Sequence, residues 1–144
     1  MKKILFVATG GTIASKKTEN GLTPQITPEE LISYIPEVEK ICEITAVQPF
    51  NLDSSNVVPE NWSMLVKVIR EHYDAFDGFI IAHGTDTMAY TAAALSYMIQ
   101  NSPKPIVITG AQRPINLDIT DAKTNLSDSF YYGCDDASQG VQIV

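Results

Sequence analysis

Phe79-Ile80-Ile81-Ala82-His83-Gly84-Thr85-Asp86-Thr87 is the stretch that decides the fold. A short apolar run ends in a glycine turn, and from Met88 the pattern changes to a helical one. Met88, Ala92, Leu95 and Ile99 recur on one face, and Ala93 and Ala94 add helix propensity. An uninterrupted apolar run of this length suits a strand covered on both sides, as in a parallel sheet. The N-terminus repeats the arrangement. There Ile4-Leu5-Phe6-Val7-Ala8 runs into Thr9-Gly10-Gly11-Thr12. In an open parallel sheet, turns at such strand ends converge on the ligand crevice.

Working outward, residues 3–8 are predicted as the first strand. Ser15–Gln25 is polar, with Lys16, Lys17, Asn20, Gly21 and Pro24, and reads as a mobile loop. Thr27-Pro28-Glu29-Glu30 has the form of a capping box with proline at the first helical position. The short helix it starts carries Leu31, Ile32 and Ile35 and ends at Pro36. A strand is expected over 41–50 and a polar loop over 51–58. Pro59 then opens a helix with Trp62, Leu65, Val66, Ile69, Tyr73 and Phe76 on one face. Further strands are expected at 79–83, 106–110 and 141–144, with a polar connection over 111–121 and a helix over 121–133. Strands alternating with helices give βαβ units. The expected fold is therefore α/β, an open, mostly parallel sheet with helices on both faces. Residues 1–144 read as a single domain that stops on a strand with no covering helix after it, as an incomplete domain would.

Bulk properties narrow the function classes. With 17 acidic and 10 basic residues the net charge is −7, which disfavours phosphate backbones and anionic lipid as partners. The apolar run after Lys2-Lys3 is short for a signal peptide and meets Thr9-Gly10-Gly11 without a cleavage motif. A cytoplasmic location is expected. Cys42 and Cys134 have no metal-ligand spacing, and no His, Cys or acid cluster implies a metal or other cofactor. No Gly-Lys-Ser/Thr phosphate loop is present, which counts against nucleotide hydrolysis.

Each chemical signal has a structural alternative. Gly10-Gly11 can bring backbone N–H groups to a ligand or simply make a tight turn. A threonine hydroxyl needs a base or relay to act as a nucleophile, and Thr85 beside Asp86 can serve as one. Asp86 or Thr87 can equally cap the helix at Met88. Asp53-Ser54-Ser55-Asn56 lies on the crevice side but has the composition of an ordinary turn. His83 closes an apolar strand and is expected to be packed and locally hydrogen-bonded rather than catalytic.

Ala8–Ser15 and His83–Thr91 together resemble the two signature segments of bacterial-type L-asparaginases. Asp53-Ser54-Ser55 and Ile108-Thr109-Gly110-Ala111-Gln112-Arg113-Pro114 are similar to the family's substrate-binding segments. The resemblance runs in order over essentially all 144 residues and is closer to the cytoplasmic, type I branch. It implies the family's Rossmann-like N-terminal domain, truncated before the C-terminal domain. It also implies Thr12 as nucleophile, with Thr85 and Asp86 in the proton relay. Gly11, Ser54, Ser55 and Ala111 would then bind the substrate L-asparagine, with no metal and no cofactor. Ser15–Gln25 corresponds to the family's lid, where Leu22 stands in place of a tyrosine found in many relatives. The full-length parent would be a homodimer or homotetramer. The family's relay lysine lies beyond the last strand, and Lys16, Lys17 and Lys123 do not match its motif, so the 144-residue chain is expected to be weakly active or inactive alone. Two alternatives remain: a glutaminase or asparaginase-like subunit of a tRNA-dependent amidotransferase, and a non-catalytic amino-acid-binding domain.

Overall fold

The computed structural model describes all residues from Met1 to Val144. Strand β1 (Lys2–Ala8) leads through a 3-10 turn at Thr12–Ala14 into a hairpin, β2 (Ser15–Thr18) and β3 (Gly21–Pro24). Then follow α1 (Pro28–Ser33), a 3-10 segment (Pro36–Lys40), β4 (Cys42–Val47), a 3-10 turn (Ser54–Asn56) and α2 (Pro59–His72). Strand β5 (Gly78–Ala82), α3 (Met88–Met98), β6 (Pro105–Thr109), α4 (Ala122–Cys134) and β7 (Gly140–Ile143) complete the chain.

Five strands form one sheet in the order β4-β1-β5-β6-β7, with every neighbouring pair parallel. The continuous apolar runs make this possible, because alternate residues supply a core on each side. Ile4, Phe6, Ala8, Ile80, Ala82 and Val107 meet Leu31, Ile32, Leu126 and Phe130 of α1 and α4. On the other side Leu5, Val7, Phe79, Ile81, Ile106 and Ile108 meet Leu65, Ile69 and Leu95 of α2 and α3. Helices thus cover both faces, as expected.

After β1 the chain passes to one flank of that strand to make β4, then returns across it to make β5 on the other. The direction of winding reverses there, so the topological switch point lies between β1 and β5. Open α/β sheets bind ligands outside the carboxyl ends of strands at such a point.

Three local expectations change. Ser15–Gln25 is not an irregular loop, because most of it is the β2–β3 hairpin, paired from Ser15↔Pro24 to Thr18↔Gly21. Asn20-Gly21 was the signal for it, since Gly21 takes φ 93° and Thr18 Oγ1 donates to the Gly21 carbonyl at 2.8 Å. Pro36 ends α1 but also opens the 3-10 segment that follows. Helix α2 stops at His72, so Tyr73 and Phe76 pack on the core from the turn beyond it. Half of the expected capping box forms: the Thr27 side chain accepts from Glu30 N–H at 3.2 Å, while the Glu30 carboxylate pairs with Lys16 at 3.1 Å instead of returning to Thr27.

Candidate active site

The ends of β1 and β5 are joined by backbone. Thr9 is buried, and both its N–H (3.0 Å) and its hydroxyl (2.8 Å) donate to the Ala82 carbonyl. The chain then turns through Gly10 (φ 101°) and Gly11 (φ 79°), conformations that residues with a Cβ rarely adopt. Close approach is the second reason for glycine. A Cβ on Gly11 would lie 2.5 Å from both Cα and N of Gly84, and one on Gly10 would lie 2.5 Å from the Leu52 carbonyl oxygen. The turns bearing Thr12 and Thr85 are therefore in direct backbone contact.

The loop after β4 closes the other flank. Leu52 N–H donates to Thr9 C=O at 2.9 Å, and Gly11 N–H donates to Leu52 C=O at 3.0 Å. Asp53 Oδ1 accepts from Ser55 N–H (3.0 Å) and Ser55 Oγ (2.8 Å), capping the short 3-10 turn. These bonds hold the Asp53 carboxyl below its ordinary range. Ser54 is buried with its side chain against Gly84, where a Cβ would come within 2.6 Å of Ser54 Cβ. Thr87 Oγ1 donates to Ser54 C=O at 2.8 Å. Neither Thr87 nor any other side chain caps α3, so the simple helix-cap alternative for this turn does not hold.

The fourth segment follows β6. Ala111 is buried in the core cluster on the α1 and α4 side of the sheet. Gln112 Nε2 donates to Thr85 Oγ1 at 3.2 Å, leaving the Thr85 hydroxyl proton free to be donated. Asp121 holds this segment with both carboxylate oxygens, accepting from Gln112 N–H at 2.8 Å and Arg113 N–H at 3.1 Å. Asn125 Nδ2 adds a bond to Gly110 C=O at 3.0 Å. These roles for Gln112, Asp121 and Asn125 were missed in the sequence, where Asp121 marked only the start of a helix.

Four segments that are distant in sequence thus meet at one strand-end crevice. A family model described as "Asparaginase, N-terminal" matches residues 3–144, a span that contains all four. The chain belongs to the asparaginase family.

Relatives within and around this family are similar over most of the chain. The L-asparaginase of Thermococcus kodakarensis is 42% identical over 125 residues, covering 86% of this chain and 38% of that protein. L-asparaginase 1 of Escherichia coli K12 is 40% identical over 139 residues, covering 90% and 40% respectively. A glutamyl-tRNA(Gln) amidotransferase component of Archaeoglobus fulgidus is 43% identical over 125 residues, covering 85% and 30%. The solved structure of the thermostable T. kodakarensis L-asparaginase superposes with a TM-score of 0.89 at 37% identity, covering 99% of this chain and 43% of that one. The chain therefore spans about two-fifths or less of the length of these relatives.

In the crevice of this asparaginase-family chain, Thr12 is half-buried at the start of its 3-10 turn, and Thr85 is half-buried. Asp86 and Ser55 are exposed. His83 lies behind the turn in a closed relay. Its Nδ1 bonds the Gly84 carbonyl at 2.6 Å and its Nε2 pairs with Thr91 Oγ1 at 2.9 Å, while Trp62 Nε1 donates to the same Thr91 oxygen at 3.0 Å. A carbonyl can only accept, so Nδ1 carries the proton, Nε2 accepts from Thr91, and Thr91 accepts from Trp62. Burial lowers the His83 pKa from 6.5, which keeps the ring neutral. The histidine is packed and locally satisfied, as its sequence position suggested.

The largest concavity, about 730 Å³, lies elsewhere, between the end of α3 and the start of β7. That is the amino end of the strands, away from both threonine turns. Converging backbone and the switch point locate the crevice better than volume does. No helix is long and apolar enough to cross a membrane, and no group of three or more His, Cys, Asp or Glu side chains is placed to hold a metal.

Proposed function

We propose that this chain carries the nucleophile-bearing part of an L-asparaginase-type amidohydrolase, which converts L-asparagine to L-aspartate and ammonia. The observation that supports it best is the contact of Gly11 with Gly84, which brings the Thr12 turn against the Thr85-Asp86 turn. Thr12 Oγ1 attacks the side-chain amide carbon, and its proton passes through the Thr85 hydroxyl toward the leaving nitrogen. Ammonia departs, and water then hydrolyses the β-aspartyl ester. The Thr12 and Ala111 backbone N–H groups, unlike that of Gly11, which the Leu52 carbonyl engages, stabilise the developing oxyanion, usually the largest contribution in acyl transfer. Asp86 pairs with the substrate α-ammonium, and Ser54 and Ser55 take its α-carboxylate region. The β2–β3 hairpin, with Leu22 exposed at its far end, acts as a lid that excludes water.

In this reading the family's relay lysine is supplied by a longer protein, and Lys16 and Lys123 are otherwise engaged. Lys16 is paired with Glu30 at 3.1 Å, and Lys123 lies over the Tyr34 ring. The 144-residue chain by itself should therefore turn over slowly or not at all, while one extended through the length of its relatives should be active. A cytoplasmic homodimer or homotetramer belongs to the same reading.

A second reading rests on the glutamyl-tRNA(Gln) amidotransferase relatives, which are as similar to this chain as the L-asparaginases are. In that case the site releases ammonia from an amide for use on a charged tRNA. Ammonia release from L-asparagine and L-glutamine by the extended chain separates the free-amino-acid activities, with Thr12→Ala as control. A loss of about a thousandfold or more in the variant is expected. Turnover at the parent rate would remove Thr12 as nucleophile.

A further inference from the structure

At the amino end of the sheet, opposite the threonine turns, two free cysteines meet. Cys42 is the first residue of β4 and is buried in the core, whereas Cys134 is the last residue of α4 and is half-buried against the same cluster. Their neighbours place them together. Lys2 pairs in register with Cys42, and its Nζ reaches Asp136, two residues past Cys134, at 2.8 Å. Helix α4 also lies along the segment before Cys42, through Ser127 Oγ to Glu37 Oε1 at 2.7 Å. Cys42 Sγ donates to the Val38 carbonyl at 3.5 Å, and each thiol is near enough to the other to shift its ionisation.

We propose that Cys42 and Cys134 are a redox-modification site, closing to an intramolecular disulfide by exchange with a low-molecular-weight disulfide such as oxidised glutathione. The half-buried Cys134 reacts first. Its thiolate attacks one sulfur of the oxidant, the oxidant S–S bond breaks and one thiol leaves. The Cys42 thiolate then attacks the Cys134 sulfur of the mixed disulfide and expels the second thiol. Two protein thiols are oxidised, one small disulfide is reduced to two thiols, and the two cysteine protons pass to the leaving groups.

Burial sets the pace. It pushes Cys42 up to about 12, and it raises Cys134 as well, although the Cys42 thiol and Lys2 favour the Cys134 thiolate and Asp77 opposes it. Exchange is therefore slow near neutrality and accelerates about tenfold per pH unit while the thiolate is the minor form.

The test is incubation of the 144-residue chain with excess oxidised glutathione at about pH 8.5, followed by thiol titration in denaturant and intact mass. Both thiols should disappear together, the mass should fall by two hydrogens, and no glutathione should remain bound. The thermal midpoint should rise by on the order of 10 °C and return with reductant. Cys42→Ala should accumulate glutathione on Cys134, and Cys134→Ala should stay unmodified. A stable glutathione adduct on the parent chain, covalent dimers, or two free thiols after the same exposure would overturn the proposal.

Discussion

Gly11 shows how little room the crevice leaves. Its φ of 79° and the 2.5 Å approach of Gly84 both exclude a side chain. Gly11→Ala should cost about 2 kcal/mol or more in stability, read from urea unfolding, because positive-φ strain and a backbone collision act together. His83 makes a different residue-scale prediction. Its folded pKa lies below the unfolded 6.5, so the unfolded chain binds the extra proton first. Stability should be flat above pH 6.5 and fall as the pH drops from there toward the folded value, by at most about 1.4 kcal/mol per unit. His83→Gln should remove that slope in urea midpoints taken between about pH 7.5 and 5. An unchanged slope in the variant would assign the effect to other groups.

At the level of elements, helix α4 has a double task. Its body packs Phe130 against Phe6, with ring centroids 5.8 Å apart. Its start, through Asp121 and Asn125, holds the segment that meets Thr85. Asp121→Ala should cost about 1–2 kcal/mol, and in an active extended chain it should lower kcat more than it raises KM. A variant with both constants unchanged would mean that the segment keeps its shape without the carboxylate. The sheet strands and α2, α3 and α4 were legible because continuous apolar runs and helical spacing follow from burial itself. The hairpin was hidden because β2 and β3 bury little, so lysines and threonines outweighed the Asn20-Gly21 turn signal. Thr12, Thr85 and Asp86 stand out from their motifs as candidates. Gln112 and Asp121 do not, because a side chain that bonds the backbone of another segment leaves no periodic trace in its own.

For the molecule as a whole, the sheet order ranks the strands. β1, β5 and β6 are each paired on both sides, while β4 and β7 are edges. Amide exchange should be slowest in β1, β5 and β6 and fastest in β7, with exchange spread evenly across the sheet counting against one cooperative core. The distinction between L-asparaginase and amidotransferase chemistry also belongs at this scale, since both kinds of relative are similar to this chain and extend well beyond it. The central place of β1 has a further consequence, for synthesis. β1 leaves the ribosome before β5 and cannot complete its pairing until β5 appears, and Thr9 waits for the Ala82 carbonyl 73 residues later. Until then the apolar segment Ile4–Ala8 is a strand with a free flank, in the stage at which nascent chains are most prone to aggregate. The apolar sequence of Ile4–Ala8 therefore matters to the unfinished chain as well as to the crevice it later helps to form.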